Sequence, residues 1–301
     1  MLHSKQSLGQ QAKGGNMSMN IGTAAISHAS QTYAAETCVP DAYHFSKSQS
    51  TGTRFIMMLT AIATGVFAGR VMHGTLSVDV ALTGLFVLLA FVGGLLSTWS
   101  PCGYSSLSLL RPAGRYSFGS VARWAPTFFT HAVGYAIGAV VLGGALGGIS
   151  WLLFAEVPLQ YSVIGLAALA IGYGLHQFGF LKMPYPQRRA QVPHDARFRF
   201  RSSVIGLLYG FSLGMNYLTY VQTPMLYIVT GVALLSGGVK AGIAVIAVFN
   251  IGRCLPVAVN FLPVKDQSVQ AWLARWQESA VEVDGFLLLA IASAALMLVM
   301  L

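Results

Sequence analysis

The sequence predicts an all-α, polytopic membrane protein of about seven transmembrane helices, on three observations. The chain is 55% hydrophobic and 9% charged with a mean hydropathy of +0.64, where a soluble domain carries roughly 25% charged residues. Its apolar runs approach or reach the length of a membrane span. Its basic residues, which give the net charge of +9, fall in a few loops between those runs. That distribution fits topology and anionic lipid head groups, and it argues against a nucleic-acid partner.

The elements follow in order. Residues 1–53 read as a cytoplasmic, disordered tail, because Met1 to Ser50 is rich in Ser, Gln, Ala and His without apolar periodicity. No signal peptide is evident, since Lys5 and Lys13 are not followed by an apolar core and a cleavage site. The run from Phe55 to Ala68 is short and spans only with its flanks, so residues 54–73 read as a signal-anchor helix. Further spans are expected near 79–98 (extending past a proline to about 110), 124–149, 160–181, 203–234, 241–262 and 283–301. Of the 18 Lys and Arg residues, all but Arg70, Lys240 and the mid-span Arg253 lie in the tail or in the second, fourth and sixth loops. The positive-inside rule then puts the N-terminus in the cytoplasm and the C-terminus in the periplasm.

The second span ends in Trp99-Ser100-Pro101-Cys102-Gly103-Tyr104, where a proline breaks the helical ladder beside a thiol. Within hydrocarbon, such a break is tolerated where protein or a cavity covers it. The fifth span carries a matching Thr223-Pro224-Met225. Gly84, Gly93 and Gly94 precede the first motif, Gly206, Gly210 and Gly214 the second, and two more spans follow each. Two units of three helices must run in opposite directions through the bilayer. The expectation is a 3+3 inverted repeat of Pro-broken helices, with residues 79–182 as the first unit, a basic cytoplasmic loop at 183–202, and 203–301 as the second.

The run from Gly94 to Pro112, GLLSTWSPCGYSSLSLLRP, resembles the MauF family of methylamine-utilization proteins, as do Leu181 to Arg189 and Gly252-Arg253-Cys254-Leu255-Pro256. More distantly, the chain resembles the CcdA/DsbD transmembrane thiol-electron carriers, whose halves carry paired Pro-Cys motifs. The likeness covers about 80–301. It implies a bacterial inner-membrane protein needed to make active methylamine dehydrogenase, a periplasmic quinoprotein whose small subunit is dense in disulfides. Other assembly proteins and a periplasmic thioredoxin-like protein are the implied partners, with the dehydrogenase small subunit reached indirectly. No cofactor is implied for this chain.

One departure from the thiol carriers stands out. Their relay needs two cysteines, one per repeat, and here the second position is Met225, whose thioether cannot exchange. Cys254, within the sixth span before Pro256, is the candidate resolving thiol for Cys102, provided their Cα atoms come within about 7 Å. A small buried hydrophobe at a helix crossing explains Cys254 as readily. Cys38 lies in the tail, in a reducing compartment, and three cysteines make neither a disulfide framework nor a zinc site.

Arg253 is a mid-span charge costing at least ~2.5 kcal/mol unless it faces a polar interior. It either holds an anionic group such as a thiolate or ties the carbonyls freed by Pro256. His131, with Tyr135 one turn on, is either a proton relay or an interhelical hydrogen-bond donor. His176 reads as an interface residue, and Asn216, Asn250 and Asn260 as interhelical polar ties. If the chain unwinds at Pro224, Asn216 and Gln222 would line a polar cavity with Ser100. Asp79, Glu156, Asp266, Glu278, Glu282 and Asp284 all read as span ends or loops, which leaves no midplane carboxylate for a cation and disfavours amine uptake. The three functions in competition are an assembly factor, a small-solute transporter of the inverted-repeat type, and a membrane thiol-disulfide carrier. The resemblance favours the first.

Overall fold

The computed structural model describes residues 50–112, 116–154, 156–184, 186 and 200–301. Nearly all of the expected tail, with Cys38, and most of the basic loop lie outside the described residues. Within them the chain is helical, with no strand. The elements are α1 (Thr51–Thr75), α2 (Val78–Leu96), α3 (Pro101–Leu109), α4 (Phe118–Leu153), α5 (Leu159–Gln177), α6 (Ser202–Gly214), α7 (Met225–Leu234), α8 (Val239–Cys254) and α9 (Asp266–Met300). Six helical stretches are long and apolar enough to cross a membrane, and α6 and α7 are shorter apolar helices.

Local chemistry sets the ends. Helix α1 runs longer than its apolar core because the Ser50 hydroxyl accepts the Thr53 N–H at 3.2 Å and caps it. A reciprocal Ser117–Ser120 capping box starts α4 before the apolar run begins, and the helix continues through Pro126 for 36 residues. The fourth span stops at Gln177, earlier than expected, because Gly179 adopts φ +80° just beyond it. The sixth span is helical only to Cys254 and continues as a 3-10 stretch, Leu255–Phe261, with Pro256 in its first turn. The stretch 266–282, expected as loop, is the first half of α9. That helix has 35 residues, about 52 Å at 1.5 Å per residue, longer than the ~30 Å hydrocarbon core.

The expected fifth span, 203–234, is two helices, α6 and α7, with the chain unwound between Gly214 and Met225. Part of the helix packing recurs when the halves are exchanged. Helix α4 packs along α6, and its counterpart α8 packs along α2. Helix α9 touches α3, as its counterpart α5 touches α7, while α4 meets α8 and α5 meets α9; the α9–α2 and α2–α7 contacts have no such counterpart among the main helix contacts of the described residues. Helix α1 stands outside this scheme, against α9.

Glycine makes both exchanged interfaces close. A Cβ at Gly210 of α6 would lie 2.0 Å from the His131 carbonyl oxygen, and one at Gly252 of α8 would lie 2.2 Å from that of Phe91. Such backbone approach is how helices associate where lipid supplies no hydrophobic drive. Of the two Gly-Gly pairs in α4, Gly143 and Gly147 face α8, whereas Gly144 and Gly148 do not press on backbone. Leu89, Met225, Leu226, Ile228, Phe249 and Leu288 belong to the main apolar core, and Phe67, Phe129 and Leu152 are exposed on the outer faces.

Candidate functional site at the two helix breaks

The first break is built by Ser97 to Pro101. Helix α2 tightens into a 3-10 turn at Ser97–Trp99, Ser100 is extended (φ −78°, ψ 154°), and α3 begins on Pro101. At that first position proline's missing N–H costs nothing. The carbonyls released by the break find hydroxyls: Ser97 Oγ donates to the Gly94 oxygen at 2.6 Å and Ser100 Oγ to the Ser97 oxygen at 2.5 Å. Cys102 follows at 2% exposure, beside the Thr219 hydroxyl and the Tyr220 backbone. Both of those residues belong to the second break, so the two breaks meet at this thiol.

A polar network holds the second break. Asn216 sits at φ +55°, a left-handed conformation that asparagine tolerates better than most residues. Its Nδ2 donates to the Gly214 oxygen (3.2 Å) and to Asn250 Oδ1 (3.1 Å). Asn250 Nδ2 in turn donates to the oxygens of Gly214 (2.9 Å) and Tyr135 (3.1 Å). Arg253 reaches in from α8: Nη1 donates to the Leu213 oxygen and to Asn216 Oδ1, both at 2.9 Å, and Nη2 to Thr219 Oγ1 at 3.3 Å. The guanidinium is 3% exposed, and no carboxylate among the described residues pairs with it. Arg253 therefore ties a carbonyl at the end of α6, not one freed by Pro256. A cation at a helix C-terminus meets the negative end of the helix dipole.

Cys102, Cys254, Tyr135 and Leu213 form one buried cluster edged by Ala132 and Tyr220. The two cysteines are thiols, not a disulfide. Arg253 lies within electrostatic reach of Cys102, His131 and Tyr135. His131 is fully buried, with Nδ1 donating to the Gly206 oxygen at 3.1 Å and its ring 5.0 Å from that of Tyr135. It thus makes an α4–α6 bond, while its Nε2 meets no protein partner among the described residues. Met225 is placed elsewhere, fully buried in the main core against Gly93.

His176 lies at the end of α5. Its Nδ1 accepts the Met183 N–H at 3.0 Å and fixes the turn that follows α5. Asn260 does tie separate elements, donating to the oxygens of Leu107 (3.0 Å) and Leu110 (3.3 Å) at the end of α3.

The acidic residues correct the sequence reading most. Asp284 lies within α9 at 2% exposure, not at a helix end. Thr223 Oγ1 donates to its Oδ1 at 2.7 Å and accepts the Met225 N–H at 3.2 Å, which joins the second break to the carboxylate. Gln177 Nε2 donates to Asp284 Oδ2 at 2.5 Å. A recess opens here, lined by Gln222 and Thr223 from one break, Leu96 and Trp99 from the other, and Gln177 and Asp284. This recess contains Gln222 but neither Ser100 nor Asn216. The apolar run of α9 starts beside Asp284, and that hydropathy edge was misread as the end of the helix.

These elements define a class: an all-α membrane protein whose two broken helices meet at a buried thiol and a buried guanidinium. The chain is 93% identical over 285 residues to the methylamine utilization protein MauF of Methylophilus methylotrophus, covering 95% of this chain and all of that protein. It is 71% identical to that of Methylobacillus flagellatus over 283 residues, covering 94% of this chain and all of the relative. To that of Paracoccus denitrificans it is 52% identical over 264 residues, covering 86% and 93%. No family model matches the chain, and no solved structure matches it. The chain belongs to the MauF family of methylamine utilization proteins.

Proposed function

We propose that the protein is an accessory component of the bacterial inner membrane, N-terminus in the cytoplasm and C-terminus in the periplasm, that supports maturation of periplasmic methylamine dehydrogenase by handling thiols. The packing of Cys102 between the two breaks, in one cluster with Cys254 and near Arg253, carries this reading. The relatives' names place the family in methylamine utilization. The recurrence of the α4–α6 contact as α8–α2 when residues 79–182 and 203–301 are exchanged supports an inverted repeat on the plan of the CcdA/DsbD carriers.

The chemistry balances as thiol-disulfide exchange. The Cys102 thiolate attacks the disulfide of a periplasmic thioredoxin-like partner, one partner sulfur leaves as thiolate and takes up a proton, and a mixed disulfide forms. The Cys254 thiolate then attacks Cys102, releasing the partner as a dithiol and leaving a Cys102–Cys254 disulfide. Two electrons pass to the partner, and a dithiol donor resets the pair. Buried thiols are slow nucleophiles, and Arg253 is a positive charge within electrostatic reach of Cys102.

The test is growth on methylamine of a host carrying only Cys102→Ser, with membrane abundance checked by immunoblot. Loss of growth and of dehydrogenase activity at normal abundance, with normal transcription of the subunits, is the expected result. Growth equal to wild type overturns the thiol reading. Normal dehydrogenase activity in a strain lacking the whole chain overturns the accessory role. A small-solute transporter is the second reading, favoured by the recess at Asp284.

A further inference from the structure

Asp284 presents a chemical problem that thiol handling does not use. A buried carboxylate is costly unless it is neutral or compensated. Two neutral donors, Thr223 Oγ1 and Gln177 Nε2, supply one hydrogen bond to each of its oxygens. A carboxylate accepts about four. No Lys, Arg or His among the described residues pairs with it.

The surroundings suit a small guest. The recess is small and partly open, with room for about one water-sized group. Oxygen-bearing side chains of Asp284, Thr223, Gln222 and Gln177 line one part, and Leu96 and Trp99 another. Oxygen atoms around a single negative charge match a small monovalent cation, whereas a divalent ion ordinarily gathers six or more hard ligands. Both helix breaks contribute wall residues, so a guest here would bear on both.

We propose that this recess binds a small monovalent cation, of the size of sodium or ammonium, with Asp284 as its counter-charge. The site is separate from the thiol cluster and stands whether or not Cys102 exchanges.

The test uses the full-length protein purified in detergent, with its thermal midpoint followed in sodium, ammonium or choline chloride at equal ionic strength. At least one small cation raises the midpoint saturably above the choline baseline, as a ligand of the folded state must, and Asp284→Asn removes that rise. The same salts distinguish an inorganic ion from an ammonium. Equal midpoints in all three salts, or a rise that persists in Asp284→Asn, overturn the proposal. Should the variant fail to fold, carbodiimide labelling of Asp284 in the wild-type protein decides, read by mass spectrometry. Protection by a small cation and not by choline supports the site, and labelling that is the same in every salt overturns it.

Discussion

Arg253 Nη1 donates to Asn216 Oδ1 at 2.9 Å, so a charge near the end of α8 fixes a residue in the unwound part of the other helix pair. The same nitrogen holds the Leu213 oxygen at 2.9 Å, a carbonyl in the last turn of α6 that also accepts the Asn216 N–H at 3.0 Å. A planar fork serves three acceptors here, which an ammonium cannot do in that geometry. Arg253→Lys should therefore lower the thermal midpoint in detergent, and Arg253→Met should lower it further. Charge-assisted hydrogen bonds contribute about 1.5–3 kcal/mol each. Midpoints unchanged in both variants would show that the network does not hold the break.

Asn216 serves in two ways that substitution can separate. Its φ of +55° needs a residue that accepts the left-handed region, and its side chain links Gly214, Asn250 and Arg253. Asn216→Gly keeps the backbone and loses the links. Asn216→Ala loses both, with a further backbone cost of about 1–2 kcal/mol. Thermal midpoints should fall in the order wild type, Gly, Ala. A glycine variant less stable than the alanine variant would overturn the assignment of strain to this residue.

The glycines predict a sharp contrast. Gly210→Val and Gly252→Val place carbon where a carbonyl oxygen lies 2.0 or 2.2 Å from the Cβ position. Both should abolish membrane accumulation of folded protein, seen by fluorescence-detected size exclusion. Gly84→Ala and Gly148→Ala meet nothing within 4 Å and should be neutral or stabilising by up to about 1 kcal/mol, since alanine is the better helix former. Equal behaviour of the two sets would refute the close packing of α4 on α6 and of α2 on α8.

Hydropathy made the spans legible and proline made the breaks legible, because both act locally along the chain. The partners of the breaks were less so. That Cys102 would lie beside Thr219 and Tyr220 depends on how the halves pack, which no spacing encodes. Asp284 was hidden for a different reason: Glu278, Glu282 and Asp284 mark a hydropathy edge, while the helix runs straight through it from Asp266. The matching Thr223 was visible as half of a motif, but its partner lies 61 residues away. Arg253 was recognised as a costly charge, and only the fold shows that it ends α6.

The thiols give the last prediction. Cys102 and Cys254 share one buried cluster with Tyr135 and Leu213 and stand as two thiols. In a Cys38→Ser background, membranes treated with a small, permeant oxidant should lose both thiols together, and mass spectrometry should find one intramolecular cross-link. The readout is a maleimide-PEG gel shift after denaturation: two additions before oxidation and none after it. Cys254→Ser should then leave Cys102 to form a mixed disulfide with an external thiol, trapped as a higher-mass species that reductant dissolves. Oxidation that leaves both thiols fully reactive would remove Cys254 as the resolving group. A trapped mixed disulfide in Cys254→Ser alone would then place the second sulfur on a partner protein.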